Sequence, residues 1–139
     1  MEALDDVMET IVQQVEGSIG CAVADLRTGE LVGLAQHTTY LTREYFGAVA
    51  EAAVEMFRGR ATTAVEDLIT EMRGVPTQHF LEEVQMTTKH TIHFMMVMAN
   101  NPDYLVALIC NRETSLGIGW AATRASVLQI DPILDTLSK

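Results

Sequence analysis

The sequence predicts an α/β chain of the α+β kind, a three-layer sandwich with helices on both faces of an antiparallel sheet. Two runs carry most of that expectation. Residues 92–99 (IHFMMVMA) and 104–110 (YLVALIC) are almost wholly apolar, and only Asn100-Asn101-Pro102-Asp103 separates them. So short a turn forces an antiparallel pair, because a parallel partner needs a crossover of about a dozen residues or more. Antiparallel sheets with one wet face alternate apolar with polar residues. These runs do not alternate, so the pair must be covered on both faces.

The remaining elements follow in order. Residues 2–15 read as an amphipathic helix, with Leu4, Val7, Met8, Ile11, Val12 and Val15 at spacings of three and four and Asp5, Asp6, Glu9 and Gln13 facing away. Glu16-Gly17-Ser18 ends it. Residues 19–26 (IGCAVADL) read as a strand, Arg27-Thr28-Gly29-Glu30 as a turn, and 31–35 as the return strand. Residues 42–58 read as a helix with Thr42 as its N-cap.

That helix carries two apolar stripes. Phe46, Val49, Ala50, Ala53 and Phe57 form one; Tyr45, Ala48, Ala52 and Met56 form another beside it, leaving a narrow polar strip. A surface helix of a lone chain needs one buried stripe. After Gly59, Thr63-Ala64-Val65-Glu66 has the capping-box pattern, followed by Leu68, Ile69 and Met72 at helical spacing, and Gly74 and Pro76 end this short extra helix. Residues 79–86 (HFLEEVQM) read as a third strand, whose two glutamates mark it as a sheet edge. A turn at Thr87-Thr88-Lys89-His90 leads into the apolar pair, which brings the sheet to five strands. A last helix starts at Thr114 or Ser115 and is expected to break or kink at Ile130-Asp131-Pro132, with one more turn over 132–137. Trp120, Leu116, Val127 and Leu128 are expected to cover the sheet and to leave Arg124 exposed.

Composition narrows the function classes. At 139 residues the chain is expected to form one domain over 1–139, with a short helical insertion at about 60–76. Residues are 48% apolar and 20% charged, as in ordinary globular chains. Nineteen acidic against nine basic residues give a net charge of −10, which argues against nucleic-acid binding, since that needs a basic footprint. No apolar run approaches the roughly eighteen residues of a membrane span, and the acidic amino terminus is unlike the basic start of a secretory signal. Cys21 and Cys110 sit in apolar runs without a CxxC spacing, and read as buried thiols in a reducing compartment, the cytoplasm.

No catalytic or cofactor constellation emerges. Gly117-Ile118-Gly119-Trp120-Ala121-Ala122 matches the dinucleotide-binding fingerprint, but five residues (112–116) separate it from the preceding strand and no parallel strand follows. The glycines are instead expected to let the last helix approach the sheet. His90 and His93, three apart, face opposite ways on a strand and make a poor metal pair; His37, His79, His90 and His93 all read as surface or edge residues. Glu82 and Glu83 diverge likewise. Met95, Met96 and Met98 read as core packing.

The order of elements resembles the roadblock/dynein-light-chain family. Three stretches carry the resemblance: 15–34 (VEGSIGCAVADLRTGELVGL), the paired strands ending in Ile109-Cys110-Asn111, and Arg112-Glu113-Thr114-Ser115-Leu116-Gly117-Ile118. The resemblance implies a profilin-like sheet with the first and last helices on one face and the middle helix on the other. It also implies a homodimer joined edge to edge through the third strand, with middle helices packed together. Its members are non-enzymatic regulators or scaffolds of Ras-like small GTPases, or adaptor light chains of motor complexes, so a small GTPase or other protein is the implied partner and no cofactor is. With the second stripe and the polar edge strand, this places the expected dimer interface at Tyr45, Ala48, Ala52, Met56, Phe80, Glu82, Val84 and Met86. The alternative is a profilin-like sensor that binds a small ligand between sheet and helix, which requires a pocket with convergent polar groups.

Overall fold

Helix α1 (Glu2–Gln14) buries Leu4, Met8, Ile11 and Val12 on one side, as their spacing requires. The structure is a computed structural model that describes residues 2–37 and 41–137. The other elements are β1 (Ser18–Asp25), β2 (Leu31–Gln36), α2 (Arg43–Arg58), α3 (Arg60–Arg73), β3 (Glu83–Thr87), β4 (Thr91–Val97), β5 (Tyr104–Asn111) and α4 (Leu116–Leu137). The five strands form one sheet in the order β2-β1-β5-β4-β3, antiparallel throughout.

The central strands are buried on both faces, which is why they do not alternate. On one face Cys21, Val23, Phe94, Val106 and Leu108 pack with Leu4, Met8 and Val12 of α1 and Val127, Ile130 and Leu134 of α4. On the other, Met95, Leu105 and Ala107 meet Ala53 and Phe57 of α2, and Ile19 and Ile109 meet Phe46. Thr42 caps α2 as expected, its Oγ1 accepting the Tyr45 N–H at 3.2 Å. Ser115 caps α4, accepting the Ile118 N–H at 3.4 Å, while Thr114 is turned inward and donates to the Glu16 carbonyl at 3.2 Å.

Several expectations are corrected. The capping box at Thr63–Glu66 does not form. α3 starts earlier, at Arg60, with the Thr63 N–H donating to the Gly59 carbonyl, and Glu66 is buried with its carboxylate accepting the Phe80 N–H at 3.0 Å. The third strand is also shorter than expected. His79 adopts a left-handed φ of 53°, uncommon for a non-glycine residue, so residues 79–82 do not enter the strand and β3 begins at Glu83. β4 ends at Val97 rather than at residue 99, because the Asn100 N–H turns to Asp131 Oδ2 at 3.0 Å.

α4 runs through Pro132 without a break. A proline inside a helix costs on the order of 3 kcal/mol through its lost hydrogen bond and ring clash. Here the segment is fixed from outside: buried Asp131 also accepts from Asn101 Nδ2 at 3.0 Å, and Ile130 and Leu134 are fully buried. Leu116 and Leu128 do not cover the sheet but face solvent, whereas Val127 is buried and Trp120 half-buried. Only one of the two glycines admits close approach. A Cβ on Gly119 would lie 2.2 Å from Phe94 Cζ, while one on Gly117 would meet only Ser115 Oγ, at an ordinary 3.8 Å. His93, expected at the surface or an edge, is buried, because its side of β4 is covered too.

Candidate protein interface

The sheet ends in two edge strands, and their outer backbone groups are treated differently. At β2, α1 lies against the strand and caps an outward backbone group. Asp5 Oδ1 accepts the Leu34 N–H at 3.2 Å, and α1 lies so close that a Cβ on Gly33 would stand 2.7 Å from Met8 Sδ. At β3, the inward bonds are made by alternate residues. The Val97 N–H donates to the Glu82 carbonyl and the Thr88 N–H to the Thr91 carbonyl, each at 2.9 Å. In an antiparallel ladder this alternation turns the backbone of Glu83, Gln85 and Thr87 away from β4. No described strand or helix pairs there. An unpaired edge is a ready template for another chain.

Side chains brace this edge on its α4 face. Arg124 Nη2 meets Glu83 Oε1 at 3.0 Å, and Trp120 Nε1 donates to Gln85 Oε1 at 3.1 Å. The Arg124 guanidinium stands 5.1 Å over the Trp120 ring, which meets Phe94 edge-on at 5.2 Å. On the α2 face, Val84 and Met86 join Met56 against the buried cluster of Leu26, Ala53, Phe57 and Met95. The bracing holds the strand in register and leaves its outer rim open.

Of the eight residues expected at a dimer interface, Met56, Val84 and Met86 share one half-buried apolar cluster beside the edge. Ala48 and Ala52 are exposed along α2. Tyr45 is half-buried at the far end of the same helix, its ring 5.3 Å from that of Phe46. Phe80 is 41% exposed in the segment before β3, and Glu82 is exposed at the strand's entrance. The spacing of Leu68 and Met72 signalled a helix, but not that both side chains point outward with Val65.

The rest of the molecule offers little chemistry. Burial pushes the Cys21 thiol up to about 12, helped by the neighbouring Cys110, and pushes Cys110 to about 11, so both are poor nucleophiles near neutrality. Burial also pushes His93 below the usual histidine range; its Nε2 lies 3.0 Å from Thr91 Oγ1 and its Nδ1 has no partner. Between α2 and the sheet there is a gap of about 10 Å³ lined by Ala22, Ala24, Phe46, Ala50 and Ala53 among others. That is room for at most one water, not for a ligand. Among the described residues no cluster of histidine, cysteine or carboxylates is placed to hold a metal, and no helix is long and apolar enough to cross a membrane.

No protein-family model matches the sequence, and no curated protein does. Solved structures do match. The chain aligns over 99% of its length with 92% of Myxococcus xanthus MglB, at 13% identity and a TM-score of 0.72. It aligns over 97% with 90% of the gliding protein MglB from Thermus thermophilus, at 14% identity and a TM-score of 0.74. A roadblock/LC7 domain from Streptomyces avermitilis matches over 94% of this chain and 96% of that one, at 15% identity and a TM-score of 0.70. The chain has the fold of the roadblock domain.

Proposed function

We propose that this chain is a single-domain, non-enzymatic regulator or scaffold of the cytoplasm, which forms a homodimer through its β3 edge and binds a Ras-like small GTPase. The observation that carries this reading is the open rim of β3 at Glu83, Gln85 and Thr87, flanked by the apolar side chains of Met56, Val84 and Met86. Two such edges satisfy each other's backbone when they pair about a two-fold axis, which is the usual symmetry of a homodimer. The exposed line of Ala48 and Ala52 lets a second α2 approach closely. The proposed interface therefore comprises Tyr45, Ala48, Ala52, Met56, Phe80, Glu82, Val84 and Met86.

The GTPase partner comes from the resemblance to the roadblock family and from the likeness to the MglB structures. The acidic surface of a chain with net charge −10 suits a partner with a basic patch. Trp120 is the sole tryptophan and is half-buried against Phe94 and Arg124, so its fluorescence reports on the braced edge. Titration with a Ras-like GTPase encoded alongside this chain, loaded with GTP or with GDP, is expected to give saturable binding with a preference for one nucleotide state. Absence of binding in both states would rule out the regulator reading.

A further inference from the structure

Helix α3 faces the opposite way from a helix that serves only its own chain. Its inner side is mostly polar. Glu66 is 5% exposed and accepts the Phe80 N–H, Thr70 Oγ1 accepts the Thr77 N–H at 2.8 Å, and Thr62 Oγ1 donates to the Met56 carbonyl. Its outer side is apolar: Val65, Leu68 and Met72 recur at spacings of three and four and are 45%, 58% and 83% exposed. Val75 and Phe80, on the segment that returns to β3, are 59% and 41% exposed. Large apolar side chains grouped in this way make a patch on the order of a few hundred Å², the size that marks an interaction site.

Three observations select the occupant. The Glu66–Phe80 hydrogen bond fastens α3 to the segment that enters the open edge, so a chain that pairs with β3 arrives beside α3. Charge points the same way. α1 carries Asp5, Asp6 and Glu9 with no basic residue, whereas α3 sets Arg60 and Arg73 against Glu66, Asp67 and Glu71. Two acidic copies therefore repel less when they meet through α3 than through α1. Area is the third. A stable interface takes about 800 Å² from each partner, and the exposed Val65, Leu68 and Met72 add apolar surface to the β3 and α2 residues proposed above.

We infer that α3 is a second dimer contact, whose Val65–Leu68–Met72 stripe packs against a second copy of this chain. The inference rests on the β3-paired dimer proposed above and adds a contact that the strand edge does not include. The test compares the full-length chain with the double variant Leu68→Glu/Met72→Glu and with the uncharged Leu68→Ser/Met72→Ser, by sedimentation over a concentration series. All the substituted side chains are exposed, so circular dichroism and the monomer's melting curve should stay unchanged. The expected result is a dimeric parent and a dissociation constant raised at least tenfold in both variants. A parent dimer that both variants match would overturn the α3 contact and leave the β3 dimer standing. A monomeric parent would overturn both. Variants that dimerise normally but lose GTPase binding would assign the stripe to the partner, which also overturns the inference.

Discussion

The two edges of this sheet have the same backbone problem and opposite solutions. At β2 the amino-terminal helix lies over the strand, Asp5 takes an outward N–H, and a glycine at position 33 lets Leu4 and Met8 seat against the backbone. At β3 the polar braces from Arg124 to Glu83 and from Trp120 to Gln85 act from one face and hold the strand without covering its rim. Sealing costs a helix and an acidic cap. The chain applies that device at one edge only, and the other edge runs beside Met56 of α2 and follows the segment that Glu66 ties to α3. The difference leaves one edge capped from within the chain and the other open at its rim, where the proposed dimer would form.

The largest effect is expected from breaking the sealed edge. Gly33→Val would drive a side chain into Met8 Sδ and Leu4 Cδ2, within 2.8 Å of its own Cβ, and force α1 away from the sheet. Urea denaturation should show a loss near the upper end of the roughly 1–3 kcal/mol typical of overpacking. At the open edge, Gln85→Pro removes an outward N–H and the acceptor of the Trp120 bond. It should weaken dimerisation about a hundredfold, or about 2.7 kcal/mol, while costing the monomer about 1 kcal/mol. The same substitution at a sealed or internal position would unfold the chain instead.

Acid sharpens the comparison one strand further in. His93 on β4 lies opposite Met86, and burial holds its folded pKa below the ordinary 6.5. Because the unfolded chain takes up this proton first, the stabilisation is present above about pH 6.5 and is lost as the pH falls below it. Between pH 7 and pH 5, His93→Gln should lose less stability than the parent, as followed by urea midpoints. The smallest effect is expected at the acidic cap. Asp5→Ala should cost about 1 kcal/mol by leaving the Leu34 N–H without its acceptor. It should also add species larger than a dimer on gel filtration, because a second edge is now open.

Much of this architecture was legible in the sequence. Unbroken apolar runs at 92–99 and 104–110 required cover on both faces, and the cover came from the helices whose periodicity announced them. The charged third strand also marked a sheet edge, and the structure places β3 there. What the sequence did not convey was direction and rescue. Periodicity locates the stripe of Val65, Leu68 and Met72 but not the side it faces; in the structure the stripe is outward and Glu66 inward, bonded to Phe80 fourteen residues on. Proline at 132 is a local stop signal, and the helix continues through it where the distant Asn100 and Asn101 bond Asp131 and where Ile130 and Leu134 are buried. The left-handed turn at His79, next to the residue that Glu66 binds, was not legible in the sequence either.

The most direct test of an interface built at the open edge is the mass of the chain in solution. Light scattering at micromolar concentration should give twice the 15.3 kDa of one chain for the parent, and 15.3 kDa for Gln85→Pro. A parent of 15.3 kDa, or a Gln85→Pro variant as dimeric as its parent, would contradict it.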